Sequence, residues 1–275
     1  MSDVVVMLVD NGSTRAASVL SLRAIAARLA AACGHPVHPV SLQHADRVTP
    51  DQLDGIAAQV LPVFLRNQLT AGLRKFIVVP LIFGNSRALT SFIPEQAALL
   101  AEEFGPFELR LAEALVPLPR GEPLLARILA EQAAQCSAVL GTRPTRVVVV
   151  DHGSPQPEVT AVRAKVTMGL RDYLEEGIAL GQAVMERRQG AEYDFNGQLL
   201  ADMLDSCAAQ DPHAVVILAM MFISPGRHAG PGGDIETICR DAMQKNPGLR
   251  VGISRLVGEH PLLVDILNQR LRALL

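Results

Sequence analysis

The stretch Arg146-Val-Val-Val-Val-Asp-His-Gly-Ser154 decides how this 275-residue chain is read. Four consecutive valines, Val147 to Val150, suit a strand covered on both faces. β-branched side chains pack well on a pleated surface, and parallel sheets select continuous apolar runs. Gly153 and Ser154 read as the turn and the N-cap of a following helix. In open parallel sheets ligands bind beyond the carboxyl ends of the strands. His152 therefore stands where an imidazole can be offered to a ligand. A second copy, Val4-Val-Val-Met-Leu-Val-Asp-Asn-Gly-Ser13, carries Asn11 in place of His152.

Outward from these two copies the pattern repeats. In the first half, strands are expected at Val4–Val9, Pro36–Leu42, Lys75–Phe83 and Leu109–Ala114. Helices are expected at Thr14–Cys33, within Asp51–Leu73 with a break at Pro62, at Pro94–Glu103 and at Pro123–Gln135, and a loop at Gly84–Thr90. In the second half the strands are Arg146–Val150, Ala179–Met185, Ala214–Ile223 and Arg250–Leu256. The helices are Pro157–Glu175, Asn196–Ala209, Asp234–Lys245 and Pro261–Leu274, with a glycine-rich loop at Ser224–Gly233. Asn11 maps to His152, Arg87 to Arg227 and Pro123-Leu-Leu to Pro261-Leu-Leu, at offsets of 141, 140 and 138 residues. Offsets this steady imply a duplicated unit of about 140 residues, an ordinary domain size. Strands alternating with helices make each unit α/β with a mainly parallel four-stranded sheet. The expected boundary is the polar stretch around Gly141, giving lobes 1–141 and 142–275.

Composition narrows the function classes. A net charge of −3 and a pI near 6.2 disfavour a general nucleic-acid binder. Trp is absent and Tyr scarce, so no base-stacking platform is expected. Cys33, Cys136, Cys207 and Cys239 form no Cys-x-x-Cys pair and read as small apolar residues. The longest apolar run, Ala214 to Ile223, falls short of the roughly 18 residues that suggest a membrane span. No signal peptide is read at the start. A soluble, cytoplasmic protein is expected, monomeric or, as the alternative, dimeric, with no nucleic-acid or membrane partner.

Three residues of the second half fall at or just beyond strand ends: His152, Glu186 and His228. Two imidazoles and a carboxylate would suit a divalent first-row metal ion. Each has a plainer reading: a turn histidine, a surface partner for Arg187 or Arg188, and a loop residue. The repeat weighs against those readings. The first half has Asn11, Gln43 and Ala88 at the matched positions, so all three candidates vanish together while strand, turn and Arg87 persist.

These residues resemble the class II chelatases of the CbiX/SirB type, which insert cobalt or iron into sirohydrochlorin. The resemblance rests on Asp151-His-Gly-Ser154, on Phe222-Ile-Ser-Pro-Gly-Arg-His228 followed by Asp234-Ile235, and on Gly258-Glu-His-Pro-Leu-Leu263. It covers the second half and, more faintly, the first. It implies a bilobal fold holding the tetrapyrrole between lobes. It also implies two metal-binding histidines, His152 and His228, that assist loss of the pyrrole protons, with Glu186 as the matching acidic residue. In long two-lobed members the histidines are expected in the N-terminal lobe; here they stand in the C-terminal one. The first lobe is then a scaffold or lid. The metal, Co²⁺ or Fe²⁺ with Ni²⁺ as a further option, is substrate, and no other cofactor is expected. No ATP is implied, since neither half contains a P-loop. The substrate's carboxylates call for cationic and N–H donors, for which Ser154, Arg187, Arg188 and Arg227 are the candidates. Neutral histidine or Glu186 would take the protons, so activity should fall in acid. The competing class is a metal or tetrapyrrole carrier. A serine hydrolase is disfavoured because no Gly-x-Ser-x-Gly elbow is present.

Overall fold

A computed structural model describes residues 4–275. The apolar runs become two all-parallel four-stranded sheets. The first contains β1 (Val4–Asp10), β2 (Val37–Ser41), β3 (Lys75–Pro80) and β4 (Glu108–Leu111), in the order β2-β1-β3-β4. The second contains β5 (Arg146–Asp151), β6 (Ala179–Val184), β7 (Val215–Met220) and β8 (Arg250–Ile253), in the matching order β6-β5-β7-β8. Val147 to Val150 and Val216 to Ala219 are almost wholly buried, as strands covered on both faces must be. Burying each such valine contributes on the order of 1.5–3 kcal/mol of apolar transfer.

The helices are α1 (Ala16–Cys33), α2 (Leu61–Thr70), α3 (Ile93–Phe104), α4 (Pro123–Leu140), α5 (Pro157–Leu170), α6 (Leu200–Gln210), α7 (Asp234–Lys245) and α8 (Leu262–Arg272). Pro62 opens α2 rather than breaking it, as expected of a proline whose missing N–H would be unpaired in a first turn. The expected loop after β3 is partly helical: Ala88–Phe92 forms a π-helical turn that runs into α3. Ser154 is not the N-cap of α5. The helix starts at Pro157 with Gln156 as its cap residue, and the Ser154 hydroxyl accepts the Gln156 N–H at 3.0 Å. Cys207 and Cys239 are buried, whereas Cys33 and Cys136 are only half-buried. Helix α1 is long and apolar enough to cross a membrane by length and composition. Its Val19, Leu22, Ile25, Ala26 and Leu29 are instead buried inside the protein.

Chain contacts divide the molecule differently from the sequence repeat. The first compact unit ends at Pro117 and regains Val264–Leu275, and the second runs Leu118–Leu263. The repeat boundary at 141/142 is therefore not the boundary of packing. Helix α4, the last helix of the first repeat, packs on α5, β7 and β8. Its Gln132 amide donates to the Leu256 carbonyl at 2.8 Å, and Glu131 meets His260 Nε2 at 3.1 Å. The end of α8 belongs to the first unit, where the buried Arg270 donates to the carbonyls of Ala114 and Leu115 at 3.2 and 3.1 Å. Apolar stripes on two similar closing helices do not encode which sheet each will cover.

In each sheet the chain leaves the first strand in one direction and returns to its other side. The topological switch points therefore lie between β1 and β3, and between β5 and β7. Crevices at such points are where open α/β sheets hold ligands.

Candidate active site

His152 directly follows β5, and His228 lies in the loop between β7 and α7, so the two flank the switch point of the second sheet. Their rings stand edge to face with centroids 4.7 Å apart. Glu186 follows β6, and its Oε1 is 3.1 Å from His152 Nε2. Both ends of this contact are set by main chain. The Met185 N–H donates to the Asp151 carbonyl at 2.9 Å and the Glu186 N–H to the His152 carbonyl at 3.1 Å. Gly153 makes this approach feasible: at φ +95° it lies against the Glu186 carbonyl oxygen with no room for a Cβ.

Hydrogen bonds assign the ring nitrogens. His152 Nδ1 is 3.1 Å from the Gly153 carbonyl. A carbonyl only accepts, so in the neutral ring Nδ1 carries the proton and Nε2 turns its lone pair toward Glu186. His228 Nδ1 is 2.6 Å from Asp234 Oδ2, which in the same way leaves Nε2 of the neutral ring free to accept. Asp234 opens α7, where a carboxylate is stabilised by the helix N-terminus. A lone pair on His152 Nε2 facing a Glu186 oxygen at 3.1 Å repels it unless a cation is shared between them. That cation can be a proton or a metal ion. Among the described residues no three His, Cys, Asp or Glu side chains form a ready-made metal group. The site is a close pair, His152 and Glu186, with the His228 ring beside it.

The substrate-binding candidates are used unequally. Ser154 is committed to the protein: its N–H donates to Asn196 Oδ1 at 3.0 Å and its carbonyl accepts from Asn196 Nδ2 at 2.8 Å. Arg187 is also engaged, with Asp194 at 3.0 Å and the Gly197 carbonyl at 3.2 Å. Arg188 lies 5.8 Å above the Tyr193 ring, with its Nη1 3.5 Å from the phenol oxygen. Arg227 is largely exposed, 3.9 Å from the Asp234 carboxylate that also holds His228. Of the four, Arg227 is the one most available to an incoming anion.

Asp234 belongs to the motif read from the sequence but was given no role there, although an acidic residue at a helix start six positions after His228 was its signal. Asp151 was likewise given none, and Arg163 was passed over. Asp151 is buried and ion-paired to the buried Arg163 at 2.5 Å. Burial pushes the Asp151 carboxyl up, and the Arg163 charge and hydrogen bond oppose that shift.

The first unit repeats the backbone of this site without its chemistry. Leu42 N–H donates to the Asp10 carbonyl at 2.8 Å, as Met185 does to Asp151. Gly12, at φ +86°, lies against the Gln43 carbonyl as Gly153 lies against that of Glu186. The pairing of Gln43 with Glu186 is thus a structural equivalence. Arg163, however, has Leu22 as its counterpart, so Asp10 has no guanidinium. Its Oδ1 is covered and without a hydrogen bond, and burial pushes the carboxyl from its ordinary 3.8 up to about 6. A carboxyl raised in the fold costs nothing below its unfolded value, where both states are protonated. The cost grows between about pH 4 and pH 6 and is complete above that. Asp10→Asn should therefore stabilise the protein by up to about 3 kcal/mol at pH 7 and by almost nothing at pH 3.5. Urea unfolding at the two pH values measures this. An equal effect at both would place the gain elsewhere.

Comparison with known proteins agrees with this architecture. Residues 146–274 match the family model CbiX. Comparison with curated proteins gives no match. Among solved structures, the chain is similar to SirB from Bacillus subtilis with Fe³⁺, at TM-score 0.69 and 14% identity over 98% of this chain and 94% of that one. It is also similar to the sirohydrochlorin chelatase SirB from Bacillus subtilis subspecies spizizenii in complex with cobalt, at TM-score 0.66 and 14% identity over the same shares. A third match is CbiX, described as the terminal enzyme for biosynthesis of siroheme in denitrifying bacteria. Its TM-score is 0.59 with 18% identity, over 98% of this chain and 99% of that one. At these identities the structural likeness establishes a common fold.

Proposed function

We propose, from the match of residues 146–274 to the CbiX family model, that the protein inserts a divalent metal ion, Co²⁺ or Fe²⁺, into sirohydrochlorin or a related tetrapyrrole without ATP. The observation that carries this reading is the apposition of His152 Nε2 and Glu186 Oε1 at 3.1 Å beside the His228 ring. Ligands about 2.1 Å from a first-row metal ion, at angles of 90–109°, lie roughly 3.0–3.4 Å from one another. The His152–Glu186 spacing fits two such neighbouring ligands. The metals present in the two SirB structures, Fe³⁺ and cobalt, lend support.

In this reading His152 and Glu186 receive the ion, and His228 completes the site through Nε2. Asp234 fixes the His228 tautomer, as carboxylates commonly do for metal-bound histidine. As the ion passes to the macrocycle, two pyrrole protons leave and the charge of the ion replaces them. The freed Nε2 atoms and the Glu186 carboxylate are the groups placed to take those protons. Arg227 is the candidate for a substrate carboxylate. The product would serve cobalamin or sirohaem biosynthesis, and we place the protein in the cytoplasm.

The test is to mix sirohydrochlorin and Co²⁺ with the protein and follow the pigment's absorbance. Insertion faster than in protein-free buffer is expected. Binding of pigment and metal with no gain in rate would overturn catalysis in favour of a carrier. Asp234→Ala should weaken Co²⁺ binding about 10- to 100-fold by titration calorimetry, the usual cost of losing the partner that orients a metal-bound histidine. Unchanged affinity would remove Asp234 from the site.

A further inference from the structure

We propose that Arg163 is the positioning residue of this site: its buried guanidinium joins the turn that carries His152 to the loop that carries Glu186, and so sets the spacing of the two ligands. The inference rests on the metal-insertion reading above. Arg163 lies in the middle of α5 and is 1% exposed. Its Nη1 meets Asp151 Oδ1 at 2.5 Å, next to His152 in the chain. Its Nη2 donates to the Asn196 carbonyl at 2.5 Å, and its Nε to Gln182 Oε1 on β6 at 3.2 Å.

Asn196 extends the link. Besides its two bonds to the Ser154 main chain, its Oδ1 accepts the Thr160 hydroxyl at 3.2 Å and its Nδ2 donates to the Tyr193 carbonyl at 3.2 Å. The loop from Met185 to Asn196 is therefore clamped at both ends to the His152 turn. One end is held by main-chain bonds from Met185 and Glu186, the other through Asn196 and Arg163.

A purely structural role does not explain an arginine here. The first unit builds the same strand–helix pair with Leu22, 2% exposed, at the equivalent position. A buried ion pair is commonly no more stabilising than apolar residues of similar volume. The unit that carries His152, Glu186 and His228 has the guanidinium, and the unit that carries Asn11, Gln43 and Ala88 lacks it. What the guanidinium adds is directional. Its planar fork holds three acceptors from β5, β6 and the 185–196 loop in one fixed geometry.

The experiment uses the full chain and Co²⁺ alone as the probe. Arg163→Leu, which installs the first unit's residue, is expected to raise the Co²⁺ dissociation constant at least tenfold and to shift the ligand-field spectrum of bound cobalt. In insertion assays KM for Co²⁺ should rise by more than kcat falls. Arg163→Lys keeps a charge for Asp151 without the fork and should recover part of the affinity. Arg270→Leu, which removes the carbonyl bonds to Ala114 and Leu115 in the other unit, should lower the melting temperature and leave Co²⁺ affinity unchanged. Equal loss of affinity in Arg270→Leu would make the effect one of general stability and overturn the proposal. A folded Arg163→Leu protein that binds Co²⁺ within twofold of wild type, with the same spectrum, would also overturn it. If Arg163→Leu does not fold, Arg163→Lys carries the test, since it keeps a charge for Asp151 but cannot hold the three acceptors together; wild-type affinity and spectrum there refute the proposal. Wild-type protein that neither binds Co²⁺ nor inserts it defeats the functional reading itself. Wild-type insertion with an indifferent Arg163→Leu defeats the positioning role alone.

Discussion

Replacing either His152 or His228 by alanine is expected to slow cobalt insertion about 100-fold or more, while the protein stays folded. Both side chains are partly exposed on loops, 46% and 28%, so their removal leaves no core cavity. Surface changes of this kind usually alter stability by no more than about 0.5 kcal/mol. The chemistry loses much more. Each alanine removes a candidate ligand and a candidate proton acceptor, and general-base assistance alone is commonly worth 10²–10⁴-fold. A 100-fold loss corresponds to about 2.7 kcal/mol of transition-state stabilisation. The double variant should be little slower than either single one, because ligands of one ion act as a unit. Initial rates from pigment absorbance, beside thermal melts, measure both quantities. Single variants that keep wild-type rates would remove these histidines from catalysis, whatever else the protein binds.

Much of this fold is legible from the chain. Parallel strands covered on both faces write themselves as runs such as Val147 to Val150. The glycine-rich loop ends where Asp234 begins a helix whose observed bounds, Asp234–Lys245, are those the pattern predicts. The packing partner of a helix is less legible. The Pro-Leu-Leu that opens α4 recurs at the entry to α8, yet α4 packs on β7 and β8 while the chain from Val264 onward belongs to the first compact unit. An amphipathic stripe specifies that a face is buried, not against what. Ser154 misleads for a local reason: a serine two residues before the cap accepts a main-chain N–H much as a cap does.

At the site, the three candidates could be named from their place at strand ends, and the repeat weighed in their favour, with Asn11, Gln43 and Ala88 in place of His152, Glu186 and His228. The same comparison held the signal for Arg163, opposite Leu22, but helical periodicity reads an arginine as solvent-facing and so conceals a buried one. Asp234 could not be weighed until its carboxylate was seen at 2.6 Å from His228 Nδ1. Sequence spacing finds residues at the ends of strands. The hydrogen bonds that set a tautomer exist only in three dimensions.

The matched glycines turn this comparison into the second large effect. Gly153→Ala should destabilise the protein by about 3 kcal/mol and abolish tight Co²⁺ binding, whereas Gly12→Ala should cost similar stability and leave Co²⁺ binding intact. Both glycines have positive φ, +95° and +86°, where a side chain costs roughly 1–2 kcal/mol. In both, the new Cβ would drive into a backbone carbonyl, that of Glu186 in one case and of Gln43 in the other. Overpacking against rigid backbone typically adds about 1–3 kcal/mol. The energetic insult is thus the same on the two sides of the duplication, and its consequence differs. At Gly153 the displaced carbonyl belongs to a candidate ligand, and the Glu186 N–H bond to His152 is strained with it. At Gly12 the displaced residue is Gln43, whose repeat carries Asn11 and Ala88 instead of the histidines. Melting temperatures and Co²⁺ titrations of the two variants separate loss of stability from loss of geometry. If both glycine variants lose Co²⁺ affinity to the same degree, close apposition of His152 and Glu186 is not what holds the ion.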